Sequence, residues 1–242
     1  MTVAALYVIG GGPYFGLAGV DPWDESRDAR LYDGPHPVVA HPPCARWGRY
    51  WSGGPSCKVR SILGDDGGCF AAALASVRRW GGVLEHPESS HAWRAFDLPA
   101  PPRSGGWIKC MDGVGWTCRV EQGHYGHRAR KATWLYAAGT DLPSLQWGSS
   151  SKRVRLDVGP YGAEERRMAM SPPRGLSGDN RKARREFLAW YAAETGKTYC
   201  TPESMGRRER EETPVEFRDL LLSLARSTLR HPPRDAASPA ER

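Results

Sequence analysis

The stretch from Pro37 to Pro87 constrains the fold more than any other part of the chain. "PVVA" (37–40) is an apolar run of strand length. "CFAAALASVRRW" (69–80) carries alanine, leucine and valine at helical spacing, and Gly81-Gly82 stops it. "GVLEHP" (82–87) is strand-like again and ends at Pro87. A strand, a helix and a strand of these lengths predict a βαβ unit with a right-handed crossover and parallel pairing. "AALYVI" (4–9) predicts a first strand and "ATWLYAAG" (132–139) a late one. The expected fold is therefore α/β and Rossmann-like, with a mostly parallel sheet, helices on both faces and a helical C-terminal addition.

The remaining segments are more polar. "DPWDESRDARLYD" (21–33) predicts a short exposed helix, and residues 51–68 read as a Gly/Ser-rich loop. After residue 147 turn-rich text takes over, followed by helical patterns at 181–196 and 213–229. The second of these opens with Thr213, Pro214 and Glu216, a capping-box arrangement. The expected organisation is a catalytic core over 1–147, a turn-rich insertion with C-terminal helices over 148–230, and a disordered tail over 231–242.

Composition narrows the classes of function. The net charge of +7 suits a polyanionic partner, with DNA the first expectation. No apolar run reaches the roughly 18 residues needed to span a bilayer. The N-terminus has no basic lead, so a cytoplasmic protein without a membrane partner is expected. Six cysteines without a C-x-x-C pair suggest neither a disulfide framework nor a zinc site. His41, His86, His124 and His127 lack an H-x-x-x-H helix or an acidic cluster, and no metal is expected.

Two strand ends concentrate the chemistry. "HPPC" closes the strand at 37–40 on two stiff prolines that present the Cys44 thiol. Arg46, Arg49 and His41 are the nearby cations that would favour its thiolate. Glu85 ends the apolar strand of "LEHP", where burial predicts a raised pKa suited to proton donation or to bonding a ring nitrogen. An ion pair with a local arginine is the structural alternative. In a parallel unit both ends reach one sheet edge, where open α/β sheets bind ligands. Trp47, Tyr50 and Trp51 follow as candidates for base stacking or for core packing. "RRERE" (207–211) reads as a solvated face.

"HPPC" followed by "LEHP" resembles the Pro-Pro-Cys and Glu-Asn-Val motifs of DNA cytosine-C5 methyltransferases. The resemblance implies that Cys44 attacks C6 of a flipped cytosine while Glu85 holds N3 and the exocyclic amine. His86 stands where that family has asparagine. "YGHRARKATWLYAAG" resembles the family's Gln-x-Arg-x-Arg turn leading into a strand, with His127, Arg128, Arg130 and Lys131 as candidates for the turn. "ETPVEFRDLLLSLA" resembles the late segment that opens its final helix. His41, Pro43, Arg46 and His86 join the basic turn as expected base or DNA contacts. "VIGGGPYFG" and "GVDPWDE" stand in for the donor loop and its acidic residue, which implies cofactor contacts from Gly10, Gly11, Gly12 and Asp21. The layout also resembles phage proteins with HPPC, EHP and GH-K-TWLY segments.

The expected function is one-carbon transfer to C5 of cytosine in DNA through a Cys–C6 adduct, giving a methyl or hydroxymethyl product. The expected donor is S-adenosylmethionine by resemblance, or methylenetetrahydrofolate given the shortened loop. The alternative is a non-catalytic DNA-binding protein derived from the same fold.

Overall fold

The computed structural model describes residues 1–48, 51–53, 59–152, 181–196, 205 and 207–228. Two compact units emerge, one of Met1–Lys152 with Thr213–Arg242 and the other of Arg153–Glu212. In the second unit, the described residues contain helices α3 (Arg181–Thr195) and α4 (Arg207–Glu211), the latter over the "RRERE" run. The segments 153–180 and 231–242, given above as turn-rich decoration and tail, lie outside the described residues, as do Arg49 and Tyr50.

The first unit is built on a seven-stranded sheet in the order β2-β1-β3-β4-β7-β6-β5. Its strands are β1 (Val3–Leu6), β2 (Val20–Trp23), β3 (Val38–Ala40), β4 (Gly82–Pro87), β5 (Ile108–Lys109), β6 (Gly115–Glu121) and β7 (Ala132–Ala138). Helix α1 spans Cys69–Trp80, α2 His91–Ala95 and α5 Val215–Arg226. The β3-α1-β4 unit forms as expected, with Val38 paired to Gly82 and Ala40 to Leu84 in parallel.

The sheet as a whole is mixed, which corrects the expectation of a mostly parallel one. β2, β1, β3 and β4 pair in parallel, whereas the β4–β7, β7–β6 and β6–β5 joints are antiparallel. The connections explain the change. A parallel return needs a crossover of about a dozen residues or more. Only Cys110–Val114 separates β5 from β6, and a compact 3-10 turn at Gln122–His124 leads from β6 towards β7. Five strands still run one way, since β6 is antiparallel to a strand that is antiparallel to β4.

Alternation along the strands divides the core. Ala4, Leu6, Val38, Ala40, Leu84, Tyr136 and Ala138 face α1, with Phe70, Leu74 and Val77 packed on them. Val3, Ala5, Val39, Val83 and Leu135 face α5, which covers them with Phe217, Leu221, Leu222 and Leu224. Helices therefore cover both faces, and the C-terminal helix belongs to the core layer. It starts at Val215, one residue later than the capping box requires, and its N-cap residue, Pro214, makes no side-chain capping bond.

Two local devices hold the segment after β3. Asp66 Oδ2 accepts from Phe70 N and from Trp47 Nε1, both at 2.8 Å, so one carboxylate caps α1 and anchors the turn beyond Cys44. The Cys44 carbonyl accepts from Trp47 N at 3.0 Å and Gly48 N at 2.8 Å, winding 44–48 into a tight turn. Residues 21–33 do not form the expected helix: β2 occupies their start, and a short 3-10 turn capped by Asp28 covers Ala29–Leu31. Among the described residues no helix is long and apolar enough to cross a membrane.

Candidate active site at the carboxyl edge of the sheet

β1, β3 and β4 end at one edge, and antiparallel β7 begins there. Because Ala40 pairs with Leu84, the next residues, His41 and Glu85, stand level. Both have the strand parity of Val39 and Val83, so they lie on the α5 side of the sheet. His41 Nδ1 is 3.1 Å from Glu85 Oε2, with side-chain exposures of 13% and 14%. Tyr14, from the glycine-rich loop after β1, brings its hydroxyl to 2.8 Å from His41 Nε2. From the other flank, Gln122 Nε2 donates to Glu85 Oε1 at 3.3 Å and to Thr133 Oγ1 at 2.9 Å.

The electrostatics set the polarity at the carboxylate. Burial pushes the Glu85 pKa up, but the hydrogen bond and charge of His41, with the charge of Lys131, outweigh it and hold the carboxyl below its usual range. Glu85 is thus an ionised acceptor, which corrects the raised pKa expected from its strand-end position. Burial, then the Glu85 charge, hold the Tyr14 phenol well above its usual pKa, so it stays protonated. An acceptor-only carboxylate assigns the proton to His41 Nδ1. The Tyr14 hydroxyl bonds Nε2 on the far side of the ring. Tyr14, His41 and Glu85 form one hydrogen-bonded chain that ends on the carboxylate.

The other expected site residues divide into those at this edge and those elsewhere. Cys44 is exposed on the turn that follows His41, with Pro42 buried and Pro43 exposed before it. Lys131 has a left-handed backbone (φ +40°) just ahead of β7, and its charge acts on Glu85. Arg46 donates to Ser61 Oγ. Arg128 and Arg130 are exposed, and Arg130 Nε donates to the Lys152 carbonyl at 3.1 Å. His127 is buried and accepts from Ala129 N at 3.0 Å. Trp47 is 7% exposed and packs on Phe70 and Phe96, a core role.

His86 has the opposite parity to Glu85. It is 1% exposed, edge-on to Phe70 and stacked on Trp93. Burial lowers its pKa to about 4, and the ring is neutral. The structure does not bring it to Glu85's side of the sheet.

Gly10, Gly11 and Gly12 lie in turns after β1, closed by a Gly12 N to Ile9 carbonyl bond of 2.9 Å. Arg218 of α5 ties this loop down by donating to the Pro13 carbonyl at 2.8 Å. Asp21 is engaged within its own segment, accepting from Trp23 Nε1 at 2.8 Å and Arg27 Nη1 at 2.6 Å. Among the described residues no three histidine, cysteine or acidic side chains gather as a metal site. A groove of about 550 Å³ opens beside α2, lined by residues including His91, Trp93, Arg94, Asp97 and Trp134. Trp93 and Trp134 belong to the α1-side core, and none of Tyr14, His41 or Glu85 lines this groove.

Sequence reasoning missed Tyr14, Gln122 and Thr133. Tyr14 sits inside a loop read as a donor loop. Gln122 follows a strand that hydropathy did not reveal, and Thr133 looks like any β-branched strand residue. The one usable signal was the polar Gln122 next to the buried end of "TCRVE". Compared with protein-family models and with curated proteins, the chain matches none.

Proposed function

We propose that this chain modifies a pyrimidine in DNA, cytosine at C5, with Cys44 as nucleophile and Glu85 as the base-binding group. The observation that carries the reading is the ionised Glu85, held by His41 and Gln122 at the same sheet edge as the proline-stiffened Cys44 turn. On this reading the core is a shortened Rossmann-like domain working at the carboxyl ends of β1, β3 and β4.

The Cys44 thiolate adds to C6, and the C5=C6 electrons move to C5. Glu85 accepts from the exocyclic amine and from N3–H as N3 takes up a proton, which stabilises the adduct. Once the C5 electron pair has bonded an electrophile, a one-carbon group or a solvent proton, a base removes the original C5 proton, and the electrons returning to C5=C6 expel the Cys44 sulfur. Extruding the base costs a few kcal/mol, and a cationic clamp on its phosphates would offset it. Arg128, Arg130 and Lys131 are the candidates. Replacing all three with glutamine should weaken DNA binding and flatten its salt dependence by up to about three phosphate contacts. An unchanged slope in a salt titration would move the nucleic acid to another surface.

The donor residues taken from the resemblance do not fit an open cofactor site. Both Asp21 oxygens accept bonds from Trp23 and Arg27, and Gly12 closes its own turn. No step is therefore assigned to Gly10, Gly11, Gly12 or Asp21. The same observation favours the second reading, a DNA-binding protein of this fold without transfer activity. Incubating DNA with adenosylmethionine or methylenetetrahydrofolate and analysing the digested nucleosides by mass spectrometry separates the two. A gain of about 14 Da on deoxycytidine means methyl transfer and about 30 Da hydroxymethyl transfer. No change with either donor, while DNA still binds, favours the binding protein.

A further inference from the structure

Gln122 is 1% exposed, and among the described residues its amide oxygen Oε1 has no hydrogen-bond partner. A buried acceptor without a donor is costly and calls for an explanation. Turning the amide over does not supply one. The Thr133 hydroxyl donates to the Lys131 carbonyl at 3.3 Å, so towards Gln122 it acts as acceptor. Glu85 Oε1 on the other side is an acceptor as well. The NH2 group must face both, and Oε1 is left over. His41 directs its Nδ1 donor at Glu85 Oε2, and the ionised carboxylate's remaining lone pairs are acceptors too. The unused valences of this cluster are therefore acceptors on two adjacent side chains.

We propose that Gln122 is a specificity-determining residue whose amide oxygen accepts an N–H from the exocyclic amine of the target base beside Glu85. This rests on reading the edge as a base site. An amine carries two N–H donors and can serve Glu85 and Gln122 together. Uracil and thymine carry a carbonyl at that ring position and would set an acceptor against both. The pair thus selects an amino-pyrimidine and rejects a keto-pyrimidine.

The test is binding of single-stranded oligonucleotides identical except for one central cytosine or uracil, followed by fluorescence anisotropy. The wild-type protein should prefer cytosine by about ten-fold or more. Gln122→Met should lose most of that preference, because it removes both the acceptor for the cytosine amine and the acceptor that repels the uracil carbonyl. Thr133→Val, which removes one partner that orients the amide, should lose part of it. Thermal melts establish that each variant is folded, and if Gln122→Met is not, Thr133→Val alone decides. A wild-type protein without the preference, or a folded Gln122→Met (failing that, Thr133→Val) that keeps it in full, overturns the inference. If the preference behaves as expected but no nucleoside is ever modified, the transferase reading fails and the role of Gln122 stands. If cytosine is modified and the preference survives in Gln122→Met, only the role of Gln122 falls.

Discussion

Gly82→Ala should leave little folded protein. Gly82 opens β4 at φ +119°, a conformation that side chains rarely adopt, and it pairs with Val38 across the parallel joint. A Cβ built there would overlap the Val38 carbonyl oxygen, with the Val38 nitrogen close behind. Backbone on a buried central strand cannot swing away as a flexible side chain would, so the joint between β3 and β4 must open. The expected loss exceeds about 4 kcal/mol, the range reserved for disruption of a core. Gly113→Ala is the control, because it also has positive φ (+71°) but nothing within 4 Å of the added atom. It should cost only about 1–2 kcal/mol of backbone strain. Urea unfolding of the two variants checks the contrast. A Gly82→Ala protein within 1 kcal/mol or so of wild type would refute the β3–β4 register on which the site depends.

Glu85→Gln should reduce cytosine modification by about 10²–10³-fold while the protein remains folded. The amide has nearly the same shape, but one of its two positions becomes a donor. It must then face either His41 Nδ1–H or the Gln122 NH2 group with like polarity. On the proposed reading, the negative charge that would stabilise a protonated ring is lost as well. The variant should also change acid unfolding. Glu85 has a folded pKa below its unfolded value, so its contribution to stability is present above the unfolded carboxyl pKa. That contribution disappears as pH falls through the folded value. Glu85→Gln should therefore be less stable at neutral pH and show a flatter decline on the acid side. An unchanged acid limb would mean that the carboxylate is not held by its neighbours.

How much of this was legible in the sequence depended on whether one physical signal dominated a segment. Helix α1 and strand β4 run over the ranges expected from periodicity, because an apolar stripe and a double glycine act without competition. The convergence of Cys44 and Glu85 on one edge followed from the βαβ unit. Strand β6 stayed hidden because every second residue is polar yet buried. Thr117 donates to the Pro99 carbonyl, Arg119 pairs with Glu88 and Glu121, and Glu121 accepts from Ser150 N. Hydropathy sees only the polar atoms, not the partners that satisfy them. With β6 unseen, the antiparallel half of the sheet could not be anticipated, and neither could Gln122. The pKa of Glu85 was misjudged for a related reason. Burial was inferable from the apolar strand, whereas the opposing His41 and Lys131 charges arrive from other elements.

The claim that Cys44 adds reversibly to C6 of cytosine can be tested without knowing the donor. Addition makes C5 basic, so each cycle of addition and elimination should exchange the C5 proton with solvent. DNA incubated with the protein in deuterated buffer, digested and analysed by nucleoside mass spectrometry, should show deoxycytidine heavier by about 1 Da. Cys44→Ser, with its DNA binding verified, should show no gain. Exchange that persists in Cys44→Ser, or its absence in wild-type protein that binds the same DNA, would contradict the assignment of Cys44 as the nucleophile.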